Sequence, residues 1–300
     1  MDQQNEPGVL RIGELSRRVG VSEHVLRAWE SRYGLLHPAR SAGGYRLYSE
    51  YDESRVRRMQ THLSHGLAAA QAAEAAIAED QPGAIPSHSD DAVGAPVRAG
   101  LVGCADTLRQ ALDALDEPQA QAALDRLLTD FTVETVLRDV LLPYLHELGD
   151  RWAQGTVGVA QEHFASHVLR GRMASLARGW GNGRGPHVIL ACPPGELHDL
   201  ALLAFGIVIA RSGWRVGYLG MNMPILDLTQ MTLSLRPNLV VLAATTPMRF
   251  TEVAPELLQL AALAPLALAG EGATQELAHS VGARLLTGDP VTAAERLAAP

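Results

Sequence analysis

The sequence has no lysine. Its 300 residues carry 25 basic side chains, every one an arginine, against 33 acidic ones, for a formal charge of −8. No global basic field draws such a chain to nucleic acid, so any nucleic-acid surface has to be local. Cysteine is nearly absent too. Cys104 and Cys192 stand far apart without ligand-like spacing, which excludes a disulfide framework and fits a reducing cytoplasm. No apolar run reaches the length of a membrane span, and the polar stretch Met1 to Pro7 does not read as a signal peptide. A cytoplasmic protein without a membrane partner is expected. Aromatic residues are scarce, whereas alanine and leucine abound. With 47 % hydrophobic residues, the chain can fill two or three separate cores, and that composition favours helix.

The stretch Gly195 to Ala201 is the most informative. It follows Val188–Cys192, which reads as a buried parallel strand, and precedes the apolar run Leu202–Ala210, which reads as a buried helix. His198 therefore sits on the loop leaving the carboxyl end of a first strand, where ligands bind in open α/β sheets. A neutral imidazole there can ligate a metal, with Glu196 orienting it through its second nitrogen. An ordinary surface histidine fits the same spacing. Further strands are expected at Val216–Leu219, Leu239–Ala243, Leu266–Ala269 and Arg284–Leu286. Helices between and after them are expected at Leu200–Ala210, Ile225–Ser234, Glu252–Ala262, Thr274–Val281 and Val291–Ala298. The alternation predicts a five-stranded parallel sheet over residues 183–300. No Gly-x-Gly-x-x-Gly follows the first strand, which argues against a dinucleotide site.

Glu196-x-His198 resembles the Asp/Glu-x-His-x-x-Gly motif of cobalamin-binding Rossmann-like domains in methionine synthase, corrinoid methyltransferases and mutases. The resemblance implies that His198 is the lower axial cobalt ligand and Glu196 its hydrogen-bonding partner. The motif's last glycine is Ala201 here. The family's Ser-x-Leu segment and Gly-Gly turn correspond to Ala243–Thr246 and Gly270-Glu271-Gly272. Thr245 or Thr246 would supply the hydroxyl in place of the missing serine. Gly270 and Gly272 would let backbone approach the ligand closely.

The amino-terminal part, residues 1–78, reads differently. A short helix from Ile12 ends at Gly20, Ser22 can cap a second helix, and Gly34 closes it. Two short helices joined by a tight turn form a helix-turn-helix, whose second helix enters the major groove. Gly43-Gly44 then permits a hairpin tip, and a further helix is expected from Asp52, followed by helical residues 68–78. The run Val25 to Leu35, followed by Pro38, Arg40 and Gly44–Tyr48, resembles the winged helix of MerR-type transcriptional regulators. Candidate DNA contacts are Arg17 and Arg18 on the first helix, His24, Arg27 and Tyr33 on the second, and Arg40, Tyr45 and Arg46 on the wing.

Residues 79–103 hold three prolines and four glycines and read as a flexible linker. Residues 104–182 read as an antiparallel four-helix bundle, with Leu108, Leu112 and Leu115 on one helix face, a new helix at Glu117, and Pro143 bending or restarting the third. The pair His163 and His167 could hold zinc, but no third ligand stands at usual spacing. Trp152 followed by Glu162-His163 is similar to a pattern in the bundle of the CarH and LitR photoreceptors, MerR-type repressors with a bundle and a cobalamin domain in this order. That resemblance implies Trp152 and Glu162-His163 against the adenosyl group of adenosylcobalamin, held between bundle and Rossmann-like domain. It also implies a non-enzymatic repressor that binds operator DNA as a dark-state tetramer and is released when light breaks the cobalt–carbon bond. In that family a histidine can follow the tryptophan and replace the lost upper ligand; Ala153 stands there. Two alternatives stay open. A corrinoid methyl carrier of a methyltransferase would use the same bundle and sheet, though not a DNA reader. A MerR-type regulator without cofactor fits the missing glycine and serine.

Overall fold

The computed structural model describes residues 10–41, 44–79, 90–182 and 184–299, and its first helices follow the punctuation of the sequence. Helix α1 (Ile12–Val19) stops at Gly20, whose φ of 70° suits a residue without a Cβ. The Ser22 hydroxyl accepts from the amide of Val25 and caps α2 (Glu23–Tyr33), which Gly34 terminates in the same way. Leu15, Val19 and Leu26 are buried together, and Trp29 and Tyr33 pack against that core. Strands β1 (Ala39–Arg40) and β2 (Arg46–Leu47) pair antiparallel as the expected wing. Gly43, expected at its tip, lies outside the described residues.

Helix α3 (Glu50–Ser64) begins two residues earlier than expected. The amide of Asp52 donates to the Ser49 hydroxyl at 3.1 Å, and the amide of Ser49 donates to the Asp52 carboxylate at 2.9 Å. Asp52 is thus the reciprocal member of a capping box rather than the helix start. Its other oxygen accepts from the amide of His37 at 2.9 Å and ties the segment before the wing to α3. Helix α4 (Ala69–Ala78) packs on α3 and completes the core.

Helix α5 (Asp90–Asp113) starts well inside the stretch expected as a linker. Proline and glycine density misled the reading there. Pro82, Gly83 and Pro86 fall outside the described residues, whereas Gly94, Pro96, Gly100 and Gly103 all lie within the helix. Helix α6 (Glu117–Asp130) and the short α7 (Val133–Val136) follow. The chain divides into two compact units, one of Met1–Ala111 with Pro118–Val136, the other of Leu112–Glu117 with Leu137–Pro300. The helices expected to form one bundle are therefore shared between the units. Within the first, the carbonyl of Gly66 accepts from Thr132 and the amide of Ala68 donates to Asp130, which stitches the start of α4 to the α6–α7 turn.

In the second unit a π-helical turn (Leu137–Leu141) runs directly into α8 (Leu142–Ala153), with Pro143 just past the junction. Helix α9 (Val159–Leu176) follows. Strands β3 (His187–Ala191), β4 (Arg215–Gly220), β5 (Leu239–Ala243), β6 (Leu266–Ala269) and β7 (Arg284–Leu285) form one parallel sheet in the order β4-β3-β5-β6-β7. The crossover helices are α10 (Leu200–Arg211), α11 (Ile225–Leu235), α13 (Ala254–Ala261) and α14 (Gln275–Ser280), and α15 (Pro290–Ala298) ends the chain. The helix expected over 252–262 is instead a short α12 (Met248–Thr251) and α13, because Pro255 fits only a first turn. Helix α10 is apolar all round because it packs on the sheet and on α9 and α15 at once. The sheet order reverses at β3, so the loop after β3 lies at the topological switch point. No helix among the described residues is long and apolar enough to cross a membrane.

Candidate functional site

The loop after β3 is built around one carboxylate. Glu196 is 1 % exposed. Its Oε1 accepts from the His198 amide at 2.9 Å and from His198 Nδ1 at 2.6 Å. Its Oε2 accepts from the Thr245 amide at 2.7 Å and the Thr245 hydroxyl at 2.8 Å. Burial pushes the carboxyl up, but the donors from Thr245 and His198 outweigh it and hold it at about 2. Ionised, it can only accept, so His198 must keep its proton on Nδ1. The lone pair is then on Nε2, on a ring whose side chain is 77 % exposed. The arrangement presents an oriented imidazole nitrogen at the sheet's carboxyl edge, as a metal ligand requires.

Neighbouring loops shape this edge. Gly195 takes a φ of 75°, and its amide donates to the Asn222 side chain at 2.8 Å. A Cβ on Gly272 would lie 2.4 Å from the carbonyl oxygen of Thr246, and one on Gly270 2.4 Å from that of Ala244. Both glycines are therefore needed for backbone packing as well as for any approach by a ligand. Of the two threonines, Thr245 holds Glu196, while the Thr246 side chain is exposed. Leu197, Met221 and Met248 stand exposed just beyond β3, β4 and β5 and give the edge an apolar rim. Cys192 beneath it is fully buried, and burial pushes its thiol up to about 12, so it packs as an inert core residue.

Asp199, which the sequence did not single out, precedes α10 without capping it. Its buried carboxylate takes a hydrogen bond from Arg170 of α9 and another from the Tyr218 hydroxyl of β4 at 2.8 Å. Burial and Asp199 together raise the Tyr218 phenol above its ordinary value. This triad fastens α9 to the His198 loop. His146 of α8 lies 3.7 Å from Glu271, in the loop after β6, so α8 also reaches this edge. Trp152 on α8 is exposed, and on α9 His163 Nδ1 lies 2.5 Å from Glu162, whose other oxygen accepts from Ser166 at 2.7 Å. His163, Phe164, His167 and Arg170 line a concavity on α9. No group of three metal-ligating side chains occurs among the described residues, which leaves the His163–His167 zinc alternative without a third ligand. Replacing Asp199 by Ala should cost about 3 kcal/mol, since it leaves the Arg170 charge and the Tyr218 hydroxyl without their partner. Urea titration measures it, and an unchanged midpoint would dismiss the triad as a fastening.

In the first unit, Arg27, Arg40, Tyr45 and Arg46 line one groove with Arg11, whose guanidinium stacks 5.3 Å above the Tyr45 ring. Arg11 gives no signal in the sequence because the stack is non-local. Arg46 is held at 2.9 Å by Glu30, which also accepts from the Tyr48 hydroxyl at 2.8 Å. His24 is exposed on the same helix as Arg27. Arg17 and Arg18 are not among the residues lining the groove; they pair with Glu14, and Arg18 also with Glu53. Tyr33 packs mainly on the unit's core.

Residues 10–77 match the MerR HTH family regulatory protein model, and residues 104–177 match the B12 binding domain model. The chain is 33 % identical over 230 residues to the HTH-type transcriptional repressor CarH of Myxococcus xanthus, covering 77 % of each. It is 32 % identical over 277 residues to the HTH-type transcriptional repressor CarA of the same organism, covering 89 % of this chain and 88 % of CarA. Among solved structures, the Methanosarcina barkeri monomethylamine corrinoid protein is similar in fold, with a TM-score of 0.57 at 13 % identity over 65 % of this chain and 97 % of that one.

Proposed function

The chain belongs to the CarH and CarA family of HTH-type transcriptional repressors, with a MerR-type DNA-binding domain and a B12 binding domain, and from that premise we propose a light-responsive repressor that uses adenosylcobalamin as its chromophore. The observation that carries the reading is His198, whose Nδ1 is committed to an ionised, fully hydrogen-bonded Glu196 and whose Nε2 is presented outward. An imidazole so held suits cobalt. The apolar rim of Leu197, Met221 and Met248 suits the face of a flat macrocycle, and the close-packed Gly270 and Gly272 leave no side chain in its way.

Bound adenosylcobalamin supplies a cobalt–carbon bond that light breaks. Trp152 offers an exposed aromatic face, and Glu162 and His163 offer a polar pair, to the adenosyl group. Such contacts would be made only while that group is present, so they would favour the assembled state in the dark and be withdrawn in the light. Ala153 brings no ligating atom beside Trp152, so disassembly rests on the lost contacts and not on a replacement protein ligand. A tetramer would place several winged helices on one operator. The runner-up, a corrinoid methyl carrier, shares the sheet but has no use for residues 10–77. Size-exclusion chromatography on protein loaded with adenosylcobalamin tests the proposal: a tetramer in the dark that falls apart on illumination is expected. Trp152→Ala should still bind cofactor but assemble poorly. A dark species that ignores both cofactor and light overturns the photoreceptor reading.

A further inference from the structure

Arg249 lies on α12, just past the carboxyl end of β5, and reaches back to the cofactor loop. Its guanidinium is packed so closely on Gly195 that a Cβ there would stand 2.3 Å from one of its terminal nitrogens. The other charged groups named at this edge are engaged: Arg170 by Asp199, Glu196 by His198 and Thr245, Glu271 by His146. Arg249 is half-buried, and among the described residues its side chain has no carboxylate or carbonyl partner. A guanidinium partly withdrawn from water and left unpaired is costly, and its planar fork matches the oxygens of a phosphate or carboxylate. The exposed Thr246 lies three residues before it, in the loop between β5 and α12.

Resting on the cobalamin reading, we propose that Arg249 is the specificity residue for the phosphate of the cofactor's nucleotide tail. The amide side arms of a corrin ring are neutral, and the tail phosphate is the anionic group that a guanidinium would select. Arg249 thus distinguishes complete corrinoids from those cut short before the phosphate, while His198 recognises the metal common to both.

The test is equilibrium dialysis of the full-length protein with three probes: cobalamin, cobinamide phosphate, which keeps a phosphate but no base, and cobinamide, which lacks both. The wild-type protein should prefer cobinamide phosphate to cobinamide by about tenfold or more, the scale of a charge-assisted hydrogen bond. Arg249→Met should abolish that preference while cobinamide affinity stays unchanged, and Arg249→Lys should restore part of it. Circular dichroism and urea midpoints confirm that the variants are folded. A preference retained in Arg249→Met, or a loss equal for both probes, overturns the assignment and leaves the cobalamin reading standing. A wild-type protein that takes up none of the three overturns the cobalamin reading and this one with it.

Discussion

His198→Ala is expected to lower cobalamin affinity by more than about 100-fold and to remove the spectral signature of a histidine-ligated corrinoid, because outer-shell partners of a metal ligand alone are worth 10- to 100-fold. Glu196→Gln should cost that smaller amount. An amide can donate to His198 Nδ1 and so release the tautomer that the ionised carboxylate enforces. The same residue gives a pH dependence. The folded-state carboxyl is depressed to about 2 from an ordinary value of 4.5. Its contribution to stability is complete above 4.5 and is lost as the pH falls through about 2. Acid titration of the cofactor-free protein should therefore show a downward slope in that window that Glu196→Gln lacks. Cofactor affinity and spectrum unaltered in His198→Ala would remove this side chain from the metal.

Arg27→Ala should weaken operator binding by about 10- to 100-fold and relax base preference, the range for one base-reading side chain. Arg27 is exposed on α2, the second helix of the helix-turn-helix, and among the described residues its side chain is tied only loosely, to Glu23 at 3.4 Å. Arg46→Ala should instead weaken binding to operator and random DNA alike and reduce the salt slope by about 1. Its guanidinium is fixed on the wing by Glu30, which suits positioning against a phosphate more than reading a base. Competition assays at several salt concentrations separate the two, and identical losses on both DNAs would refute the division of labour.

The helix-turn-helix was legible because each helix carries its own start and stop: Ser22 as a cap, Gly20 and Gly34 at left-handed ends. Strands β3, β5 and β6 were legible within a residue or two because central parallel strands buried on both faces are short apolar runs, whereas β4 and β7 at the sheet's edges are only partly buried. Glu196 and His198 were legible for a similar reason, since two residues apart on one loop they meet without help from the fold. The linker was over-extended because composition measures average flexibility, whereas α5 runs through Gly94, Pro96, Gly100 and Gly103.

Local chemistry thus determined, from sequence alone, which segments are helix or strand, where a ligating histidine could stand, and which part could read DNA. Only the tertiary structure decided what surrounds them. It selected Thr245 over Thr246 as the second support of Glu196, 49 residues away. It joined Arg170 to Asp199, set Arg11 on Tyr45, and brought Arg249 onto Gly195. Each of these pairs is held by distant segments packed face to face. No periodicity or spacing along the chain records such a contact, because its partners share a neighbourhood only after the helices and the sheet have buried their apolar faces.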